Sequence, residues 1–215
     1  IINKTIAEDD FQELDRFHKK TSLTLFFLGA VLFSCILVGF PYLTNFIKNG
    51  DQLRQAEPVV WILGCAMIFD LATGFNGHII SLSKHYRFNI VVMLFLAITT
   101  IVLNYLFLTK TEFGIIGIAM ATAISLTLFN MIKIYFNYSK FKVFPLTIEM
   151  MYVLIICTLA INIAIMLPET TSNLVNLCYK PAFVLMVIFG ANHVMKIFPV
   201  EQYLNKKFFK SLFKF

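Results

Sequence analysis

Six stretches of the chain are long and apolar enough to cross a lipid bilayer, and this feature leaves few folds open. A spanning helix needs about 20 mostly apolar residues, because the hydrocarbon layer is about 30 Å thick and a helix rises about 1.5 Å per residue. The stretches are 21–40, 59–82, 88–108, 113–135, 147–167 and 181–198. In hydrocarbon, backbone polar groups must find partners within the segment, so runs of this length form helices. Composition agrees: 59% of the 215 residues are hydrophobic and 14% charged, against about half and about a quarter in soluble domains. The sequence therefore predicts an all-α polytopic transmembrane helix bundle. It excludes a soluble domain, a disordered tail and a disulfide scaffold.

The breaks fall at Pro41, Gly50 and Pro58, at the turn over 83–87, at Lys110 to Glu112, and at Pro145, Pro168 and Pro181. The last stretch is short, and it extends toward Lys180 if that side chain snorkels. Fourteen of the 18 Lys and Arg residues lie on one side of the resulting bundle. The other side holds Lys48, Arg54, Lys110 and Lys180. Basic residues accumulate in the cytoplasm, so both termini are expected there, as an even number of spans requires. The division is a cytoplasmic linker helix over 1–20, four spans in 21–138, two accessory spans in 139–198, and a basic, aromatic tail over 199–215. The linker places Asp15 four residues before Lys19, a helical ion-pair spacing. The tail interleaves Phe208, Phe209 and Phe213 with Lys206, Lys207 and Lys210, a pattern that lies on an anionic leaflet. The chain opens on Ile1 with five acids and four bases in its first 20 residues and lacks a signal-peptide core. It reads as the C-terminal part of a longer protein.

Several functions are excluded. The net charge of +6 does not indicate nucleic acid, because the bases lie at membrane edges and form no soluble patch. Cys35, Cys65, Cys157 and Cys178 stand singly, with no CxxC and no histidine at ligand spacing, so no metal or cofactor is expected. There are no paired carboxylates, no GxSxG and no phosphate-cradling glycine loop. Asp51, Glu57, Glu112 and Glu169 occur singly in the loops, and the chain is not expected to be an enzyme.

The one acid near mid-membrane is Asp70, about 17 Å of helix from either end of its span. It cannot snorkel that far, and an intramembrane carboxylate is a functional candidate until paired or protonated. Ala66, Asp70, Gly74, Gly77 and Ser81 recur at three or four residues, making a small, polar stripe. Two readings fit the stripe. It lines a water-filled cavity with Asp70 as an ion site, or it packs closely against a neighbouring helix. Gly74 and Gly77 also permit a bend or unwound turn. Asn76 and His78 lie nearby on other faces, and His78 is about 12 Å of rise from Asp70. Lys84 and Arg87, in the turn after this span, suit either an anionic headgroup or ordinary topological anchoring. In the fourth span Gly117 and Ala121, with Gly114 and Ser125, make a helix-packing face. Asn104, Asn162 and Asn192–His193 are isolated polar residues suited to interhelical hydrogen bonds.

The run from Asp70 to Arg87, with Gly74, Asn76, Gly77, Ser81, Ser83, Lys84 and Tyr86, resembles a known family. It is similar to second-half helices of bacterial polysaccharide biosynthesis membrane proteins, the O-antigen and capsule repeat-unit flippases. These belong to the multidrug/oligosaccharidyl-lipid/polysaccharide exporter superfamily. Asn104 followed by Gly114, Gly117, Ala119, Ala121, Thr122 and Ser125 looks like a second signature of that family. The resemblance covers residues 1–145. Ile118 departs from it where a small residue is usual, and the 109–113 connection lacks the usual proline. The resemblance implies two six-helix lobes around a cavity in a bacterial inner membrane, with this chain holding part of the second lobe and two accessory spans. It implies turnover of an undecaprenyl-pyrophosphate-linked oligosaccharide by alternating access coupled to an ion gradient, with no catalytic residue. The implied partners are that lipid-linked substrate, membrane lipids, the missing N-terminal lobe and a polysaccharide polymerase. A multidrug or organic-cation antiporter of the same superfamily and an accessory membrane subunit are the alternatives.

Overall fold

The computed structural model describes residues 2–8 and 10–199, which are helical and contain no strand. The helices are α1 (Ile2–Ala7), α2 (Phe11–Thr44), α3 (Gly50–Arg54), α4 (Glu57–Ala72), α5 (Asn76–Leu82), α6 (Tyr86–Lys110), α7 (Gly114–Phe141), α8 (Ile148–Met166) and α9 (Asn173–Met195). Of these, α2, α6, α7, α8 and α9 are each long and apolar enough to cross a membrane. Together α4 and α5 also pass that test, but they are bent by 47° at the break between them. The chain is thus a multi-pass membrane protein with five such helices, or six spans where the bent pair makes one. The expected tail over 199–215 lies, apart from Pro199, outside the described residues.

The longest helix, α2, is the hub. It packs on α4 along one side and on the α8–α9 hairpin along the other, α7 packs on α4, and α6 closes the row against α7. The largest core joins Phe26, Phe27, Ala30 and Val31 of α2 to Ile68 and Ala72 of α4, Cys157 and Ala160 of α8, and Val184 and Ile188 of α9. Association of helices in lipid relies on close packing more than on burial from water, which small residues permit. Ala160 and Ala164 are accordingly sealed completely. By contrast, the apolar stretch of α6 is only 6% buried, and Ile90, Leu94, Ile98 and Ile101 face outward.

A second core gathers where α2 begins and α7 ends, from Leu14, Phe75, Ile79, Phe141 and Val143. Asp10 caps α2 by accepting a hydrogen bond from the Glu13 N–H at 3.0 Å, satisfying one donor of the first turn. The expected Asp15–Lys19 pair forms at 2.6 Å, and Asp15 Oδ1 also accepts from the Phe144 N–H beyond α7. The linker and first span are one continuous helix from Phe11.

Three sequence expectations need correction. Pro41 and Pro181 do not separate elements; they lie inside α2 and α9. A bundle tolerates such prolines where neighbours take up the altered backbone, and a Cβ on Gly39 would lie 3.5 Å from the Pro181 ring. Lys180 does not snorkel. The last helix starts at Asn173, and Lys180 is 2% exposed, turned toward α2 where the Tyr42 hydroxyl lies 2.6 Å from its Nζ. The second span is not one helix, because Gly74 adopts φ +58° and the chain bends there.

Candidate functional site, a polar seam along α7

Asn130, Lys133 and Asn137 of α7 stand three and four residues apart, which puts them on one helix face. Each is buried, and together they meet the α4–α5 break. At the first step Asn130 Nδ2 donates to Asp70 Oδ1 at 2.8 Å, so Asp70 ends α4 on a polar partner. At the third step Asn137 Nδ2 donates to Asn76 Oδ1 at 2.8 Å and to the Asn76 carbonyl at 3.1 Å. His18 of α2 completes that knot, its Nε2 3.0 Å from the same Oδ1. An amide oxygen only accepts, so His18 holds its proton on Nε2. His18, Asn76 and Asn137 are each at 0% exposure.

Between these steps lies Lys133, at 8% exposure. Its Nζ stands over the Phe129 ring, 3.8 Å from the centroid, a favourable placement for a desolvated cation. Among the described residues it forms no hydrogen bond and no ion pair within 4.0 Å. The Asp70 carboxylate is the charge that acts on it. Across from it is Gly77, where an added Cβ would lie 3.8 Å from Lys133 Nζ and 3.9 Å from Asn89 Oδ1. Asn89 of α6 is itself tied by its Nδ2 to Ser81 Oγ at 2.8 Å.

The break that assembles this seam follows from local chemistry. Thr73 folds its hydroxyl back to the Asp70 carbonyl at 2.7 Å, and Gly74 takes a left-handed conformation that a side chain opposes. A Cβ on Gly74 would also lie 2.2 Å from Ser22 Oγ of α2. Six buried polar atoms along the seam have no protein partner: His18 Nδ1, Ser22 Oγ, Asn76 Nδ2, Asn89 Oδ1, Asn130 Oδ1 and Asn137 Oδ1. Groups this buried are normally paired, and unpaired ones mark places where water or a ligand belongs.

The structure sorts the residues singled out from sequence. Asp70, Asn76, Gly74 and Gly77 come together on the seam. His78 does not; it is exposed, because the bend at Gly74 turns α5 relative to α4. For the same reason Ala66, Asp70, Gly74, Gly77 and Ser81 are not one continuous stripe. Lys84 and Arg87 are exposed and separate from the seam, with Arg87 against its neighbour Tyr86 at 5.9 Å. Gly117 and Ala121 are buried, and a Cβ on Gly117 would meet Phe107 of α6 at 3.2 Å, a packing contact. The isolated asparagines do not bridge helices. Asn162 bonds the Thr158 carbonyl of its own helix, Asn192 caps the turn at Phe198, and Asn104 Oδ1 has no partner. The cysteines are free.

Sequence reading missed His18, Asn130, Lys133 and Asn137. The signal was present in α7 as polar residues at i, i+3 and i+7, but Lys133 counts equally well as a basic residue at a membrane edge. At the opposite end of α2 a smaller cluster was also missed: Tyr42 donates to Glu169 at 2.7 Å, with buried Lys180 3.8 Å from the same carboxylate. Between α2, α4 and α8 runs an apolar cavity of about 520 Å³, lined by Phe33, Trp61, Phe69, Met150 and Leu154 among others.

No protein-family model, characterised protein or solved structure matches the chain.

Proposed function

We propose that this chain is part of a transporter in the bacterial inner membrane that turns over an undecaprenyl-pyrophosphate-linked oligosaccharide for O-antigen, capsule or exopolysaccharide synthesis. Translocation proceeds by alternating access driven by an ion gradient, with the six spans forming second-lobe and accessory helices and both ends in the cytoplasm. The observation that supports this reading is the buried acid–base seam: Asp70 and Lys133 face one another inside an otherwise apolar bundle, beside a helix broken at Gly74. Intramembrane charges and interrupted helices mark transport paths. A base beside the acid weighs against the organic-cation antiporter, since Lys133 repels the cation that Asp70 would attract. Lys84 and Arg87 offer cations for a pyrophosphate at the cytoplasmic mouth.

The test is complementation of a strain lacking its own repeat-unit flippase. The full-length gene is expected to restore surface polysaccharide, and Asp70→Asn and the Lys84→Ala/Arg87→Ala pair to lose it at equal membrane abundance. Failure of the wild-type gene across several repeat-unit structures would refute the flippase reading.

A further inference from the structure

The charges in the seam make an incomplete pair. Lys133 is more than nine-tenths buried yet bonded to no acceptor, while Asp70, the charge that acts on it, is engaged by Asn130 instead. A medium of low dielectric penalises any uncompensated charge. As it stands, the site is neutral: one carboxylate, one ammonium. A proton added to Asp70 alone strands the ammonium. An anion added to Lys133 alone leaves two negative charges against one positive. Adding both together restores neutrality. The other groups facing the pair are Asn130 and Asn137 from α7, Asn89 from α6, and His18 and Ser22 from α2, of which His18 alone titrates and is bonded to Asn76. Approach to Lys133 is across Gly77, which presents no side chain and is half-exposed.

We propose that Lys133 takes up a phosphate-class oxyanion across Gly77 in exchange for Asp70, whose carboxylate accepts a proton from solvent as the anion arrives. The proton lands on an Asp70 carboxyl oxygen and the ammonium keeps all of its own. Anion and proton then enter and leave together, which would couple an anionic substrate to a proton gradient and leave no role for sodium. Reciprocity follows from linkage: lowering the pH tightens the anion, and the anion raises the affinity of Asp70 for its proton. This inference rests on the lipid-pyrophosphate reading for the identity of its ligand but not for its mechanism. Lys84 and Arg87, being exposed, serve the approach rather than this exchange.

The experiment measures sulfate binding and proton uptake by the full chain purified in detergent, in weakly buffered solution near neutral pH. Sulfate stands in for phosphate because it does not itself titrate there. Wild type is expected to take up about one proton per sulfate bound that Asp70→Asn does not. Asp70→Asn is expected to bind sulfate at least as tightly. Lys133→Gln loses sulfate binding, and Lys133→Arg, which keeps the charge, retains both binding and uptake. Sulfate bound by Lys133→Gln as by wild type, equal proton uptake in Asp70→Asn, or no saturable binding by wild type would overturn the proposal. Farnesyl pyrophosphate displacing sulfate below the concentration needed for inorganic pyrophosphate assigns the site to a lipid headgroup. Equal displacement assigns it to a free oxyanion, and displacement by neither overturns the site. If the gene restores surface polysaccharide while no proton is taken up, the exchange falls and the flippase reading stands. Proton uptake without restoration keeps the exchange in a transporter of another anion.

Discussion

Replacing Gly74 by alanine tests the physical account of the α4–α5 break. Two separate penalties are expected at this position. The first is local: φ is +58°, and a left-handed conformation costs a residue with a Cβ about 1–2 kcal/mol. The second is a contact with α2, since the new Cβ would stand 2.2 Å from Ser22 Oγ and 3.2 Å from Ser22 Cβ. Forcing a methyl group into a packed interface costs about 1–3 kcal/mol. Gly74→Ala is therefore expected to destabilise the protein by about 2–5 kcal/mol. The two terms separate in a Ser22→Ala background, which removes the hydroxyl at 2.2 Å and leaves the conformational term. There the same substitution should cost about 1–2 kcal/mol, giving a coupling of about 1–3 kcal/mol in a double-mutant cycle. Ser22→Ala alone should be close to neutral, because its buried hydroxyl has no partner to lose. Trp61, the chain's single tryptophan, lies edge-on to Phe33 of α2 at 6.2 Å, so its fluorescence reports the α2–α4 contact. Unfolding in mixed micelles of dodecyl maltoside and SDS, followed by that signal, supplies the four free energies. An equal cost in both backgrounds would refute the contact argument, and a cost below about 0.5 kcal/mol in wild type would refute the whole account.

Three further outcomes follow from the geometry. Asn137→Ala removes both hydrogen bonds to Asn76, leaves Asn76 Oδ1 with His18 alone, and should cost about 1–3 kcal/mol in the same assay; loss confined to below half a unit would mean the knot is not structural. Tyr42→Phe deletes the hydroxyl between Lys180 and Glu169 and leaves a buried ammonium short of a partner, for a similar loss of about 1–3 kcal/mol, whereas Glu169→Gln at the exposed end should cost less than about 1 kcal/mol. Sidedness is checked with single cysteines in a cysteine-free background: Lys84→Cys should react with a membrane-impermeant maleimide only in inverted vesicles and Lys110→Cys only in right-side-out ones, and labelling of both in one preparation would overturn the proposed orientation.

The seam shows how a legible pattern can be misassigned. Asp70 is conspicuous in sequence because a carboxylate cannot reach water from mid-helix, and no other acid interrupts the apolar runs so deeply. Lys133 is not conspicuous, since a lysine near the end of a long apolar run ordinarily extends its chain to the interface. What turns it inward is the company of Asn130 and Asn137 on the same face and the absence of a side chain at Gly77. Asn76 looks like an incidental neighbour of Asp70 until the bend brings it against His18, which is 58 residues away in sequence. Lys180 was misjudged for the same reason, because its partners Tyr42 and Glu169 come from separate elements.

The sequence by itself determined the class of this protein and the number and length of its apolar segments. Those properties depend on the cost of exposing polar backbone to hydrocarbon, which each segment meets within itself. It also indicated a possible bend, because glycine freedom at Gly74 is a local property. Only the tertiary structure decided that the second span breaks there, that α2 is the hub, and that Asp70, Lys133, Asn76 and His18 share one buried seam. Packing in lipid is set by shape complementarity and by which polar groups find partners across helices. Those are relations between distant segments, and no run of residues contains them.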